Sequence, residues 1–159
     1  MAVSVEGLTA AVRGRIVERD APDYDESRAL YNAMIDKRPA AIAYCVDEAD
    51  VAAAVRYATE HGLRIAIRSG GHNGAGLGSV DDGLVIDLSE MKAIEVDAAA
   101  KVARVQGGAL LKELLEATHQ YGLTVPVGII GTTGVGGLTL GGGIGHFSRA
   151  FGLTIDNLL

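Results

Sequence analysis

His72 stands in the stretch Arg68-Ser69-Gly70-Gly71-His72-Asn73-Gly74-Ala75-Gly76-Leu77-Gly78, where few neighbours carry a bulky side chain. Glycines admit positive φ and let a backbone approach a ligand closely, so successive N–H groups can converge on an anion such as a diphosphate. An imidazole at the centre of such a loop is a nucleophile or proton carrier held beside whatever the backbone grips. A second glycine-rich stretch covers residues 128–145, and the two together hold most of the 22 glycines. The pair points to one large nucleotide ligand lying across the fold.

The other reactive side chains are sparse. His61, His119 and His146 make no metal-ligand spacing with one another or with His72, and no metal site is expected. His61 and His119 fall near the ends of predicted helices, where a surface role is expected. Cys45, the single cysteine, sits in an apolar run over residues 41–46 and reads as a small buried hydrophobe in a strand. Neither G-x-G-x-x-G in strand–helix context nor G-x-x-x-x-G-K-[ST] occurs, which argues against a nicotinamide-dependent Rossmann enzyme and a P-loop NTPase. A net charge of −6 without a basic stripe, and an aromatic share of 4% without Trp, argue against a nucleic-acid partner. Residues 1–7 lack a basic start followed by an apolar stretch, so the expected compartment is the reducing cytoplasm. Residues 117–148 contain no Asp, Glu, Lys or Arg, yet they are rich in Gly and Thr and include Pro126. They never reach the ~18 consecutive apolar residues of a membrane span, so no membrane partner is expected and the stretch reads as buried and ligand-facing.

The elements that must position these residues follow from periodicity and punctuation. With 159 residues, 48% of them hydrophobic, the chain can bury one core or two small lobes that share one. Residues 41–46 read as a strand, and Asp47 with Asp50 as an acidic variant of the capping box. A helix over residues 49–61 turns Val51, Val55 and Ala58 to one face, and Gly62 ends it. Residues 63–68 form a strand leading into the His72 loop. This βαβ unit leaves the loop at the carboxyl end of a strand, where open α/β sheets bind ligands. Residues 83–88 are a third strand, and residues 93–96 and 101–105 are two more, joined by a turn over 97–100. Residues 108–121 form an amphipathic helix with Leu110, Leu111, Leu114 and Leu115 inward and Gly122 as its cap; residues 123–127 are extended. Residues 137–147 read as a short glycine-rich helix or turn, and the acidic residues 20–26 as a solvated approach loop.

Three segments, in order, resemble a known family. Arg68-Ser69-Gly70-Gly71-His72 resembles the diphosphate loop of the FAD-linked oxidases of the vanillyl-alcohol-oxidase type, the PCMH superfamily. The most similar branch is the berberine-bridge-enzyme-like group, which includes bacterial 6-hydroxynicotine oxidases and oligosaccharide oxidases. The second segment is Gly83-Leu84-Val85-Ile86-Asp87-Leu88-Ser89-Glu90-Met91. The third is Gly131-Thr132-Thr133-Gly134-Val135-Gly136-Gly137-Leu138-Thr139-Leu140-Gly141-Gly142-Gly143-Ile144-Gly145, running on to Gly152-Leu153-Thr154-Ile155-Asp156-Asn157. The resemblance covers about residues 20–159, and three matching segments are far more specific than one glycine motif.

The resemblance implies an α+β fold: a PCMH-type FAD-binding domain of two small α/β subdomains with FAD between them. Residues 1–36 would be an N-terminal approach segment, 37–92 the first subdomain, and 93–159 the start of the second. It implies FAD held by Arg68, Ser69, Gly70, Gly71, His72, Asn73 and Gly74, with the amides of residues 69–74 on the diphosphate. His72 would join covalently to the 8α-methyl carbon, its neutral nitrogen attacking an electron-poor quinone-methide form of the flavin. Hydrogen bonding without a covalent bond is the alternative role. Gly131, Thr132, Thr133, Gly134, Gly137, Leu138, Gly142, Gly143, Gly145 and His146 would lie along the flavin ring, His146 touching the flavin edge or substrate or serving the fold. Ile130 stands where some relatives carry a cysteine for a second flavin link, so none is expected. Thr133 falls at a position governing oxygen access and leaves oxidase and dehydrogenase both open.

The implied reaction is hydride transfer from an alcohol, sugar, amine or phenolic substrate to flavin N5, with reoxidation by molecular oxygen or another acceptor. Family members continue past the equivalent of Leu159 into the rest of the FAD domain and a substrate domain. The expectation is therefore a chain truncated at its C-terminus, with no substrate domain, no assignable catalytic acid or base, no activity by itself, and exposed apolar surface that favours self-association. The rival reading is a non-catalytic remnant that serves as a cofactor-binding or interaction module. A cofactor-free enzyme using His72 as general base is weaker, since it leaves the second glycine segment without a role.

Overall fold

The computed structural model describes residues 5–159, the side chain of Glu6 excepted. Residues 1–4, which begin both the approach segment and the stretch read as lacking a leader, lie outside the described residues. The apolar runs assemble into a four-stranded sheet of β1 (Ile16–Glu18), β2 (Ala41–Tyr44), β3 (Ile65–Arg68) and β4 (Leu84–Asp87), in the order β1-β2-β4-β3. β2, β3 and β4 are parallel, and β1 closes the other edge antiparallel to β2. The predicted βαβ unit exists, but its two strands are not neighbours because β4 is inserted between them. β4 is the strand buried at every position, as the continuous apolar run Leu84-Val85-Ile86 requires of a central parallel strand.

Both faces of the sheet are covered. Ala41, Ala43, Cys45, Leu84 and Ile86 pack against Leu8 of α1 (Glu6–Ala11) and Ala54 and Ala58 of α3 (Glu48–Glu60). Ile42, Val85 and Ala66 turn the other way, onto Val17, Val80 and Tyr24 of α2 (Tyr24–Ser27). Cys45 is fully buried; burial, with the Asp50 and Asp87 charges, pushes its thiol up to about 12, so it stays protonated. β3 is an edge strand covered on one side only, which leaves Ile65 and Ile67 exposed.

The second unit is an antiparallel hairpin of β5 (Ile94–Asp97) and β6 (Val102–Val105). It packs on α4 (Leu111–His119), with Leu111, Leu114 and Val127 forming a separate core. Gly122 has φ +68 and ends α4 as predicted: its N–H donates to the His119 carbonyl, and the Leu123 N–H to that of Thr118. Gly62 and Leu63 close α3 in the same way.

Four local expectations are corrected. Asp47 does cap α3, accepting from the Asp50 N–H at 2.9 Å, but Asp50 does not reach back to complete the box. Its buried carboxylate instead accepts the N–H groups of Arg13, Gly14 and Val46, tying the α1–β1 connection to the end of β2. Val55 faces solvent; the inward face of α3 is Asp50, Ala53, Ala54, Tyr57 and Ala58. The acidic loop over residues 20–26 runs into α2 and buries Tyr24, whose hydroxyl donates to the Pro39 carbonyl at 2.6 Å. The glycine-rich helix begins earlier and ends sooner than read, as α5 (Val135–Leu140), because Gly142 and Gly143 take positive φ before α6 (Ser148–Phe151). Among the described residues, no helix is long and apolar enough to cross a membrane.

Candidate functional site

The His72 loop starts from a buried ion pair. Arg68 and Asp87 are register partners at the carboxyl ends of β3 and β4, both buried, and the Arg68 guanidinium donates to the Asp87 carboxylate. The other carboxylate oxygen accepts the Ser89 N–H at 2.8 Å. The aliphatic stem of Arg68 runs beneath Gly71 and Gly78, while its Nη1 is buried without a partner among the described residues. Gly71 turns the chain with φ +68, a conformation that strains any residue with a Cβ. Asn73 then organises the rest of the loop, its Oδ1 accepting the N–H groups of Ala75 and Leu77. The N–H groups from Ser69 through Gly74 donate no hydrogen bond to another described residue. Six successive backbone donors are thus unpaired within the described residues, and unpaired backbone N–H groups are what a loop can offer an anion.

The second glycine segment meets this loop directly. A Cβ on Gly134 would lie 2.0 Å from Ser69 Oγ and 2.3 Å from the Gly70 nitrogen, so the two segments approach as only glycines permit. Ser69 Oγ donates to the Gly107 carbonyl at 2.5 Å, joining the loop to the turn that precedes α4. The His72 imidazole is gripped by two adjacent hydroxyls: Thr132 Oγ1 lies 3.1 Å from Nε2 and Thr133 Oγ1 3.5 Å from Nδ1. Residues 60 positions apart thus converge on one imidazole.

A third contributor was not foreseen. Residues 30–38 form a strap over the loop: the Tyr31 N–H donates to the Gly71 carbonyl, Asn32 Nδ2 to Gly74, and Lys37 Nζ to Gly76 and Ser79. The Tyr31 ring stacks on His72 with centroids 4.0 Å apart. The only sequence signal was an aromatic residue beside an amide in a chain poor in aromatics, 41 residues from its partner. Asp87 lies in the second of the three resembling segments, but its pairing with Arg68 depends on the strand register.

A cleft of about 310 Å³ opens between the two units. It is lined by residues 67–73, Leu77 and Gly78 from one side and by Thr133, Gly134, Gly137 and Leu138 from the other. A Cβ on Gly137 would meet nothing within 4 Å, so its bare backbone faces open space. That volume is at the small end of ligand sites and holds one part of a dinucleotide rather than all of it. Gly74 and Thr132 do not line the cleft; the Gly74 carbonyl accepts from Asn32 in the loop and Thr132 reaches the His72 imidazole. The remaining predicted residues also stand apart from the cleft. Gly131 packs on Lys112, Gly142 near Leu153, Gly143 against Thr154 and Gly145 against the Val127 carbonyl, so their missing side chains also serve close packing within the chain. His146 is exposed.

The family model described as "FAD binding domain" matches residues 39–159. An uncharacterized FAD-linked oxidoreductase of Bacillus subtilis (strain 168), YgaK, is 45% identical over 146 residues, which are 92% of this chain and 32% of that protein. The crystal structure of 6-hydroxy-D-nicotine oxidase from Arthrobacter nicotinovorans superposes with a TM-score of 0.92 at 34% identity, covering 97% of this chain and 34% of that one. Wild-type BBE-like 1 of Physcomitrella patens superposes with a TM-score of 0.90 at 34% identity, again covering 97% and 34%. The chain therefore spans about a third of the length of the relatives it matches.

Proposed function

The chain belongs to the FAD binding domain family of FAD-linked oxidoreductases, in its PCMH-type, berberine-bridge-enzyme-like branch, and on that premise we propose that it holds FAD with a covalent link to His72. The observation that carries this reading is a cleft lined by residues 69–73, whose backbone N–H groups are unpaired among the described residues, with the His72 imidazole held there by Thr132 and Thr133. FAD, when bound, supplies the acceptor for a hydride from substrate, and the protein contributes binding, orientation and electrostatics. The N–H groups of residues 69–74 take the diphosphate charge. The bare backbone at Gly134 and Gly137 admits the flat ring system, and Arg68 with Asp87 holds the loop from below.

His72 would be the residue joined to the 8α carbon, and the hydroxyls of Thr132 and Thr133 orient its imidazole beforehand. The first subdomain is assigned to residues 37–92 and the second to residues from 93 onward, with the cofactor between them. The whole protein is a soluble cytoplasmic oxidoreductase acting on an alcohol, sugar, amine or phenolic substrate, its electrons passing to molecular oxygen or another acceptor. No residue of this chain is assigned to move the substrate proton.

Reconstitution of the full-length protein with FAD tests the cofactor assignment. The wild type is expected to acquire the absorbance of bound flavin. Gly137→Leu, at a cleft-lining position where an added Cβ meets no atom within 4 Å, is expected to lose it while unfolding at the same temperature as the wild-type apoprotein. Wild-type protein that takes up no flavin contradicts the reading.

A further inference from the structure

Tyr31 is placed oddly for a residue of its type. Its side chain is 69% exposed, so it serves no core, yet its ring lies 18° from parallel with the His72 imidazole at 4.0 Å. The backbone beneath is pinned on both sides of the histidine: the Tyr31 N–H donates to Gly71 at 3.3 Å, and Asn32 Nδ2 to Gly74 at 3.0 Å. Thr132 and Thr133 hold the edge of the same imidazole. One face of His72 is therefore covered and both ring nitrogens lie against threonine hydroxyls, which together restrict rotation of its side chain.

We propose that Tyr31 is a positioning residue for flavin attachment, holding the plane of the His72 imidazole while one ring nitrogen exchanges its threonine hydroxyl for the 8α carbon. The inference rests on the reading of His72 as the attachment point. The attachment joins a ring nitrogen to C8α and breaks one C8α–H bond and the imidazole N–H. Both hydrogens leave as protons, and two electrons stay on the flavin until molecular oxygen takes them up. Two properties of the Tyr31 ring favour that step. Restricting the nucleophile to a productive orientation replaces a search with a fixed approach. The negative face of the ring also stabilises the positive charge that grows on the imidazole as the new bond forms, before the N–H proton departs. Both properties belong to the ring face and neither needs the tyrosine hydroxyl.

The test is the rate of covalent incorporation, measured on the full-length apoprotein mixed with FAD, acid-precipitated at intervals and assayed for flavin retained in the pellet. Reversible FAD affinity is read separately, by fluorescence quenching on His72→Ala alone and combined with each Tyr31 substitution. Tyr31→Ala and Tyr31→Leu are expected to slow incorporation by about tenfold at saturating FAD, with reversible affinity unchanged. Tyr31→Phe is expected to restore the wild-type rate. Incorporation at the wild-type rate in Tyr31→Ala overturns the proposal, as does a defect that vanishes once FAD is saturating. A wild-type protein that retains no acid-stable flavin refutes the attachment reading itself, and the clamp with it. That result is distinct from normal attachment without Tyr31.

Discussion

At the scale of single residues, the two glycine-rich segments contain glycines of different kinds, and substitution separates them. Gly134 has no room: a Cβ there collides with Ser69 Oγ and the Gly70 nitrogen. Gly134→Ala is expected to cost about 1–3 kcal/mol in thermal or denaturant unfolding, as overpacking does, and to part the two loops. Gly137 has open space, so Gly137→Leu is expected to remove flavin binding without that loss of stability. The buried pair gives a second case. Asp87→Ala leaves the Arg68 guanidinium uncompensated in the sheet and is expected to destabilise the protein by roughly 3–5 kcal/mol, readable in urea unfolding. Much of this site was legible beforehand. His72, Thr132, Thr133 and the glycines around them could be named from residue types and motif order. Tyr31, Asn32 and the Arg68–Asp87 pairing could not, because each depends on which distant segment folds onto the loop.

Among the elements, α3 and α4 could be placed from their punctuation, since Gly62 and Gly122 lie just past the last helical turns and take the left-handed conformation that ends a helix. What periodicity could not supply was the insertion of β4 between β2 and β3, which puts Asp87 beside Arg68. The orientation of Asp50 was hidden as well. Its carboxylate leaves the helix end to bind three N–H groups from the α1–β1 connection and the end of β2. Burial by itself would raise its pKa, but the N–H groups of Arg13, Val46 and Gly14, with the Arg13 charge, hold it below the ordinary carboxylate range. Since the folded state binds the proton less readily than the unfolded chain, the stabilisation is full above the unfolded value of about 3.9. It is lost as the pH falls through the lower folded value. Asp50→Asn is therefore expected to lower the melting temperature at neutral pH, and the gap to the wild type is expected to narrow in acid. A gap that widens in acid would contradict this assignment.

For the molecule as a whole, two packed units sit either side of a cleft walled largely by glycine-rich loops, a plan suited to a large flat ligand. Beyond the cleft, Ile129, Leu140, Ile144, Phe151 and Leu158 are each more than 60% exposed, and exposed apolar side chains favour association where they adjoin. Leu140→Asp combined with Phe151→Asp is expected to reduce association of the 159-residue chain in sedimentation experiments. The central claim, that this fold holds FAD through His72, is tested most directly by the intact mass of the full-length protein under denaturing conditions. A mass raised by one FAD, returning to the polypeptide value in His72→Ala, is the predicted result. An unmodified mass in wild-type protein purified with FAD present, or an adduct that survives His72→Ala, would contradict it.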